Sequence, residues 1–252
     1  MAIPAKTIDE VLTELDRIIE STVFENNFLG IFAYVYRRTT AEIKQAISEK
    51  QFEDNARMEL MDVAFANLYL TSYHSFVNNQ DCSDSWTISF SAKNDKITIM
   101  QHLMLGMNAH INMDLGIAAA TFSPGMSMPA IKNDFMKVNH ILNELTNEMQ
   151  YKVAKVSRLM ILLDLIGENT DELIINFSMV KAREQAWHLA NILSGLKDNE
   201  RKAVIEVTDQ AIAELGSKVK SPPGRLFKTA LKLIAYFEEK NVKTIINKLK
   251  EY

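Results

Sequence analysis

A chain of 252 residues, 47% of them hydrophobic, is long enough to bury a full core and too apolar to stay disordered. Eight glycines and five prolines are too few for an all-β protein with many tight turns. A single cysteine, Cys82, excludes an intramolecular disulfide and a thiolate-rich metal site, and a net charge of −4 marks no overall nucleic-acid binder.

The opening MAIPAKTIDEVLTELD turns polar and amphipathic where a signal peptide needs an apolar core. No later run reaches the roughly 18 apolar residues of a membrane span, so a cytosolic protein is expected. Thr7 or Asp9 starts a first helix to about Glu20. A longer helix follows over about 24–49. Residues 54–78 form a third, with Met61, Ala64, Phe65 and Leu68 at i, i+3, i+4 and i+7. The stretch NNQDCSDSWTISFSAKNDK, 78–96, reads as a long loop in which TISFS makes a brief hairpin. Loops of this length in compact domains are often functional. Asp81 and Asp84 raise the pKa of Cys82 there, and no role is assigned to it.

From Ile97 to about Phe122, Asn108, His110, Asn112 and Asp114 alternate with Ala109, Ile111 and Met113, which invites a strand. Length decides against it, since ordinary strands run to roughly 10 residues, and Ala, Leu and Met favour a helix. SPGMSMP, 123–129, stops it. A helix over about 130–166 follows, and the Gly167–Thr170 turn leads into another that ends near Gly195. Asp198–Leu215 forms the next, the SPPG break falls at 221–224, and one or two helices close the chain.

Residues 217–252 carry nine Lys or Arg against three acids. Such a segment can touch phosphates or an acidic membrane. A solvated face is the preferred reading, because in LFKTALKLIAYF the residues Leu226, Ala230, Leu233, Ile234 and Phe237 form one apolar stripe with Lys228 and Lys232 outside it. The expected architecture is all-α: a single multi-helix bundle around a buried central helix (97–122), with 1–195 as the main bundle and 196–252 as a C-terminal helical hairpin packed on it.

At 3.6 residues per turn, His102, Gly106, His110 and Asp114 fall within about a third of the central helix's circumference, and Asn108 and Asn112 on another side. His110 and Asp114, at i and i+4, can reach one point as two-ligand metal motifs do. His102 supplies a third ligand or orients the first. Asp62, among Leu60, Met61, Val63 and Phe65 and on one face with Tyr69, is the preferred ligand from another helix. The competing reading is structural: a neutral His bonded to Asp in the core, with Asp62 as partner of Arg183. Arg183 shares a face with Trp187, which suits an Arg over an aromatic ring or an anion-binding Arg. Glu184 and His188 read as solvent-exposed. HExxH, GxSxG, Walker, GxGxxG and ExxH signatures are missing.

The run HLMLGMNAHINMDLGIAAA, with MDVAFANLYL, DFMKVNHIL, KAREQAW and SPPGRL, resembles a family of bacterial all-helical proteins catalogued as a domain of unknown function, over nearly the whole chain. The resemblance implies no established chemistry. It points to His102, Gly106, Asn108, His110, Asn112, Asp114, Asp62, Asp134, Asn139, Arg183 and Trp187. The LGxxxHxxxD spacing of LGMNAHINMD is also similar to the metal-binding helix of the zinc-dependent phospholipase C and P1-type nuclease group, which are all-α phosphoesterases. That likeness implies ligation by His110 and Asp114, while the group's ligating N-terminus and further His and Glu ligands have no counterpart here.

Two functions are therefore expected. One is a hydrolase acting on a phosphoester-like small molecule, with a divalent Zn, Mn or Fe at His110, Asp114, His102 and Asp62 lowering the pKa of a bound water. In it Asp62, His102 and Arg183 are catalytic, and Asn108, Asn112, Tyr69, Trp187, Asn139 and Asp134 support them. The other is a non-enzymatic module that binds an apolar ligand or another protein in a Met- and aromatic-lined cleft, with the polar groups as a buried network.

Overall fold

Helix starts in this chain carry their reasons in the local sequence. Thr7, Asp54, Ser83 and Asn241 each accept a hydrogen bond from a backbone N–H two or three residues on or beyond, and Thr98 with Gln101 forms a reciprocal capping box. The computed structural model describes residues 3–122, 128–138, 141, 142, 152 and 179–251. Among them it has ten α-helices and no strand. These are α1 (Ile8–Phe24), α2 (Leu29–Ser48), α3 (Asn55–Val77), α4 (Asp84–Ser91), α5 (Ile99–Ala109), α6 (Leu115–Thr121), α7 (Met179–Ser194), α8 (Asp198–Lys220), α9 (Arg225–Phe237) and α10 (Val242–Lys250). Residues 129–138 are helical as well. Most of the helix expected over 130–166, the Gly167–Thr170 turn and Asn139 lie outside the described residues. No described helix is long and apolar enough to cross a membrane.

The central helix is not one α-helix. Between α5 and α6, His110–Asp114 forms a π turn in which the Leu115 N–H reaches back five residues to the His110 carbonyl. Such turns widen a helix locally and are frequent at functional sites. Around it, α5 packs on α2, α4 and α8, and α6 on α3 and α7. Helices α5 and α2 come close at Gly106, where an added Cβ would sit 2.4 Å from Cγ of Phe32, so no larger residue fits without moving that ring.

The reading of 78–96 as a loop with a hairpin is corrected: TISFS lies inside α4. Ser85, Trp86, Ser89 and Phe90 are buried at helical spacing, whereas the period-two pattern had grouped Ile88 with Phe90. The start of α4 is fixed from far along the chain, because Asp209 on α8 accepts from the Asp84 and Ser85 N–H groups at 2.6 and 3.0 Å. Two other buried carboxylates do the same. Asp134 accepts from the Glu53 and Asp54 N–H groups ahead of α3 and from Arg57, and Glu238 accepts from the Ile99 N–H of α5. An anion at a helix N-terminus satisfies orphan donors and opposes the macrodipole. Asp209→Ala should therefore cost about 1–3 kcal/mol and loosen α4, read as a lower urea midpoint and lost amide protection at Asp84 and Ser85.

The apolar stripe expected on α9 is also corrected. Phe227, Leu231, Ile234 and Ala235 face the body, packing with Met104, Leu105 and Val219, while Leu226, Leu233 and Phe237 are exposed. The apolar arc of this helix is wider than one contact face, and periodicity alone cannot say which part is covered. Helix α10 packs on α2 and α1 and adds Val242, Ile245, Ile246 and Leu249 to the main core.

Candidate functional site

His110 lies at the middle of the bundle, 2% exposed, inside a ring of aromatic side chains. Its imidazole stacks on Phe65 at 3.8 Å between centroids, and Tyr36 meets it edge-on at 4.3 Å. Phe32, Tyr69 and Trp86 complete the surround near 6 Å. The Nδ1 atom is 3.1 Å from Oδ2 of Asp114, and the same oxygen accepts from Nε1 of Trp86 at 3.0 Å. Burial pushes the His110 pKa down against the opposing pull of Asp114, which keeps the ring neutral. With its proton on Nδ1, directed at the carboxylate, the ring offers Nε2 as a bare acceptor. That atom has no hydrogen-bond partner among the described residues. Burial raises the Asp114 pKa, while the donors from His110 and Trp86 pull it back.

Beside this pair is a cavity of ≈ 80 Å³ walled by Phe32, Tyr36, Met58, Met61, Phe65, Met107 and Leu142. Three polar side chains reach it besides Tyr36 and Thr39: His110, Asp62 and Arg183. Asp62 is 8% exposed, its Oδ2 has no hydrogen-bond partner among the described residues, and burial, then Glu59, lifts its pKa to about 7. Arg183 donates through Nη2 to the Phe135 carbonyl at 2.7 Å and lies 4.6 Å over the Phe135 ring. The aromatic ring under Arg183 is thus Phe135, and Trp187, half-buried, packs against that ring. Burial lowers the Arg183 pKa to about 9.

His102 is elsewhere. It stacks on Phe28 at 4.7 Å, hydrogen-bonds the Asp95 backbone, and is pushed by burial to a pKa of about 4. Angular position had grouped it with His110, but eight residues of helix separate the two by about 12 Å along the axis, too far for one ion. Among the described residues, no group of three or more His, Cys, Asp or Glu could hold a metal ion. Of the expected set of His110, Asp114, His102 and Asp62, His110 and Asp114 bond to each other, Asp62 joins His110 at the cavity, and His102 lies apart.

The remaining candidates are structural links. Asn108 donates to the Ile212 carbonyl at 2.9 Å, and Asn112 donates to Asn108 Oδ1 at 3.0 Å, tying the central helix to α8. Asp134 caps α3. Tyr69 is fully buried against Trp86 and Phe32, with its hydroxyl unpartnered among the described residues. Glu184 and His188 are exposed, as expected. Trp86, the second donor to Asp114, was hidden from sequence reasoning by its place in a polar stretch. A lone Trp among Asn, Asp and Ser was the available signal.

A multi-helix body holding a buried His–Asp pair beside a mainly apolar cavity defines an all-α protein with a polar-ended pocket. The chain belongs to a family of unknown function, DUF5995, whose model matches residues 8–222. No curated protein and no solved structure matches it, so no phospholipase or nuclease stands beside the short LGxxxHxxxD likeness.

Proposed function

We propose that this protein binds a small, largely apolar molecule carrying one hydrogen-bond donor, seated in the cavity between α2, α3 and the π turn. One observation carries the reading: His110 and Asp62 line the same cavity, whose other walls are mainly Met, aliphatic and aromatic, and each has a buried atom, Nε2 and Oδ2, with no hydrogen-bond partner among the described residues. A buried polar atom left unsatisfied costs about 1–3 kcal/mol, which a ligand donor at Nε2 recovers. The ≈ 80 Å³ is about half the roughly 150 Å³ of an engineered apolar cavity that admits benzene, so a five-membered ring enters only as the walls yield. The methionines let the walls adjust.

Pyrazole and furan, five-membered rings with and without an N–H, separate this reading from a merely greasy void. Pyrazole should bind at least about fivefold more tightly, the worth of one hydrogen bond, and should shift the His110 Nε2 resonance in ¹⁵N NMR. His110→Phe should erase the preference. Equal binding of the two rings, or binding of neither, sinks the proposal.

A further inference from the structure

Helix α9 carries apolar side chains on two flanks. Phe227, Leu231, Ile234 and Ala235 are covered by the body, but Leu226, Leu233, Tyr236 and Phe237 are 69%, 48%, 78% and 65% exposed. Leu226, Leu233 and Phe237 follow one another at seven and four residues, so they form a single ridge along the helix. Large apolar groups gathered on one outer face mark a contact surface.

About 100° round the same helix from that ridge, Lys232 and Tyr236, with Lys240, join Phe28, Lys96 and Ile97 around a groove of ≈ 690 Å³. Its one carboxylate, Asp95, is neutralised by Lys220 at 2.7 Å. Neither Lys96 nor Lys232 has an ion-pair partner among the described residues. Lys240 also donates to the Ala235 carbonyl while remaining exposed. Phe24, 92% exposed, ends α1 two residues before Asn26, which bonds the Lys240 and Val242 backbone and so belongs to the same end of the molecule. Residues 217–252 carry +6 in a chain of net −4.

We propose that this end of the bundle docks on an anionic lipid surface, with Leu226, Leu233 and Phe237 entering the interface and Lys96, Lys232 and Lys240 meeting headgroup phosphates. Charge complementarity selects the occupant. A second copy of this chain would bring the same basic segment to the seam, setting like charges face to face. A bilayer rich in acidic lipids supplies the opposite charge and an apolar layer at the depth a ridge of Leu and Phe reaches. The surface is separate from the interior cavity, and neither proposal depends on the other.

Flotation of the full chain with phosphatidylcholine vesicles, with and without phosphatidylserine, tests this. Binding is expected only with phosphatidylserine, and should weaken as salt is raised. Lys96→Gln with Lys232→Gln should lower partitioning roughly 25-fold, about fivefold per charge. Leu233→Ser with Phe237→Ser should lower it as well, with circular dichroism unchanged because both side chains are exposed. Absence of binding, or equal binding to both vesicles, overturns the proposal. So does a dimer by light scattering that Leu233→Ser with Phe237→Ser dissolves, since the ridge would then be a seam between copies.

Discussion

Asp114→Ala should lower stability by about 2–6 kcal/mol, because one carboxylate oxygen satisfies two buried donors and both would be orphaned at about 1–3 kcal/mol each. Nδ1 of His110 and Nε1 of Trp86 converge on Oδ2 of Asp114, and neither ring reaches solvent. The total is a large part of the roughly 5–15 kcal/mol that a domain has. Asp114→Asn should fall between wild type and Ala, since its amide oxygen can still accept while its NH₂ group confronts a second donor. Urea unfolding followed by far-ultraviolet circular dichroism measures both. A loss below about 1 kcal/mol for Asp114→Ala would mean that water reaches these donors.

Asp62 and His102 should tilt stability with pH in opposite directions over nearly the same range. Burial raises Asp62 from its ordinary 3.8 to about 7, so the folded chain holds that proton more tightly than the unfolded chain. Its contribution is complete below about pH 4 and is lost as pH climbs to 7. Burial lowers His102 from 6.5 to about 4, so here the unfolded chain holds the proton more tightly. Its contribution is complete above pH 6.5 and is lost as pH falls to 4. Each slope approaches about 1 kcal/mol per pH unit, and between pH 4 and 6.5 they oppose. The wild-type dependence there should be shallow, with His110, also lowered by burial, adding to the loss in acid. Asp62→Asn should leave a stability that rises steadily with pH, and His102→Gln should flatten the acid limb or turn it into a fall. Urea midpoints across this range read both. An Asp62→Asn variant with the wild-type profile would show Asp62 already ionised and solvated.

Much of the helical layout was legible in the residues. The span expected at 54–78 is α3 at Asn55–Val77, the central segment is buried, and His110 and Asp114 point to one another. These features follow from periodicity, capping residues and i,i+4 spacing, all of which act within a few residues. The candidate site was legible in part, because burial of a His–Asp pair on an apolar helix follows from the same local pattern.

What the sequence alone determined is where most of the helices run, α4 excepted, and that the polar groups of the central segment must go inside. The tertiary structure decided what those groups meet. α4 forms where Asp209, more than a hundred residues away, caps it, and this carries Trp86 onto Asp114. His102 is drawn to Phe28 rather than to His110, and α9 turns Leu233 and Phe237 outward because Leu105 and Val219 cover its other flank. Hydrogen-bond partners and covered faces belong to pairs of segments far apart in the chain, and a local pattern holds only one member of each pair.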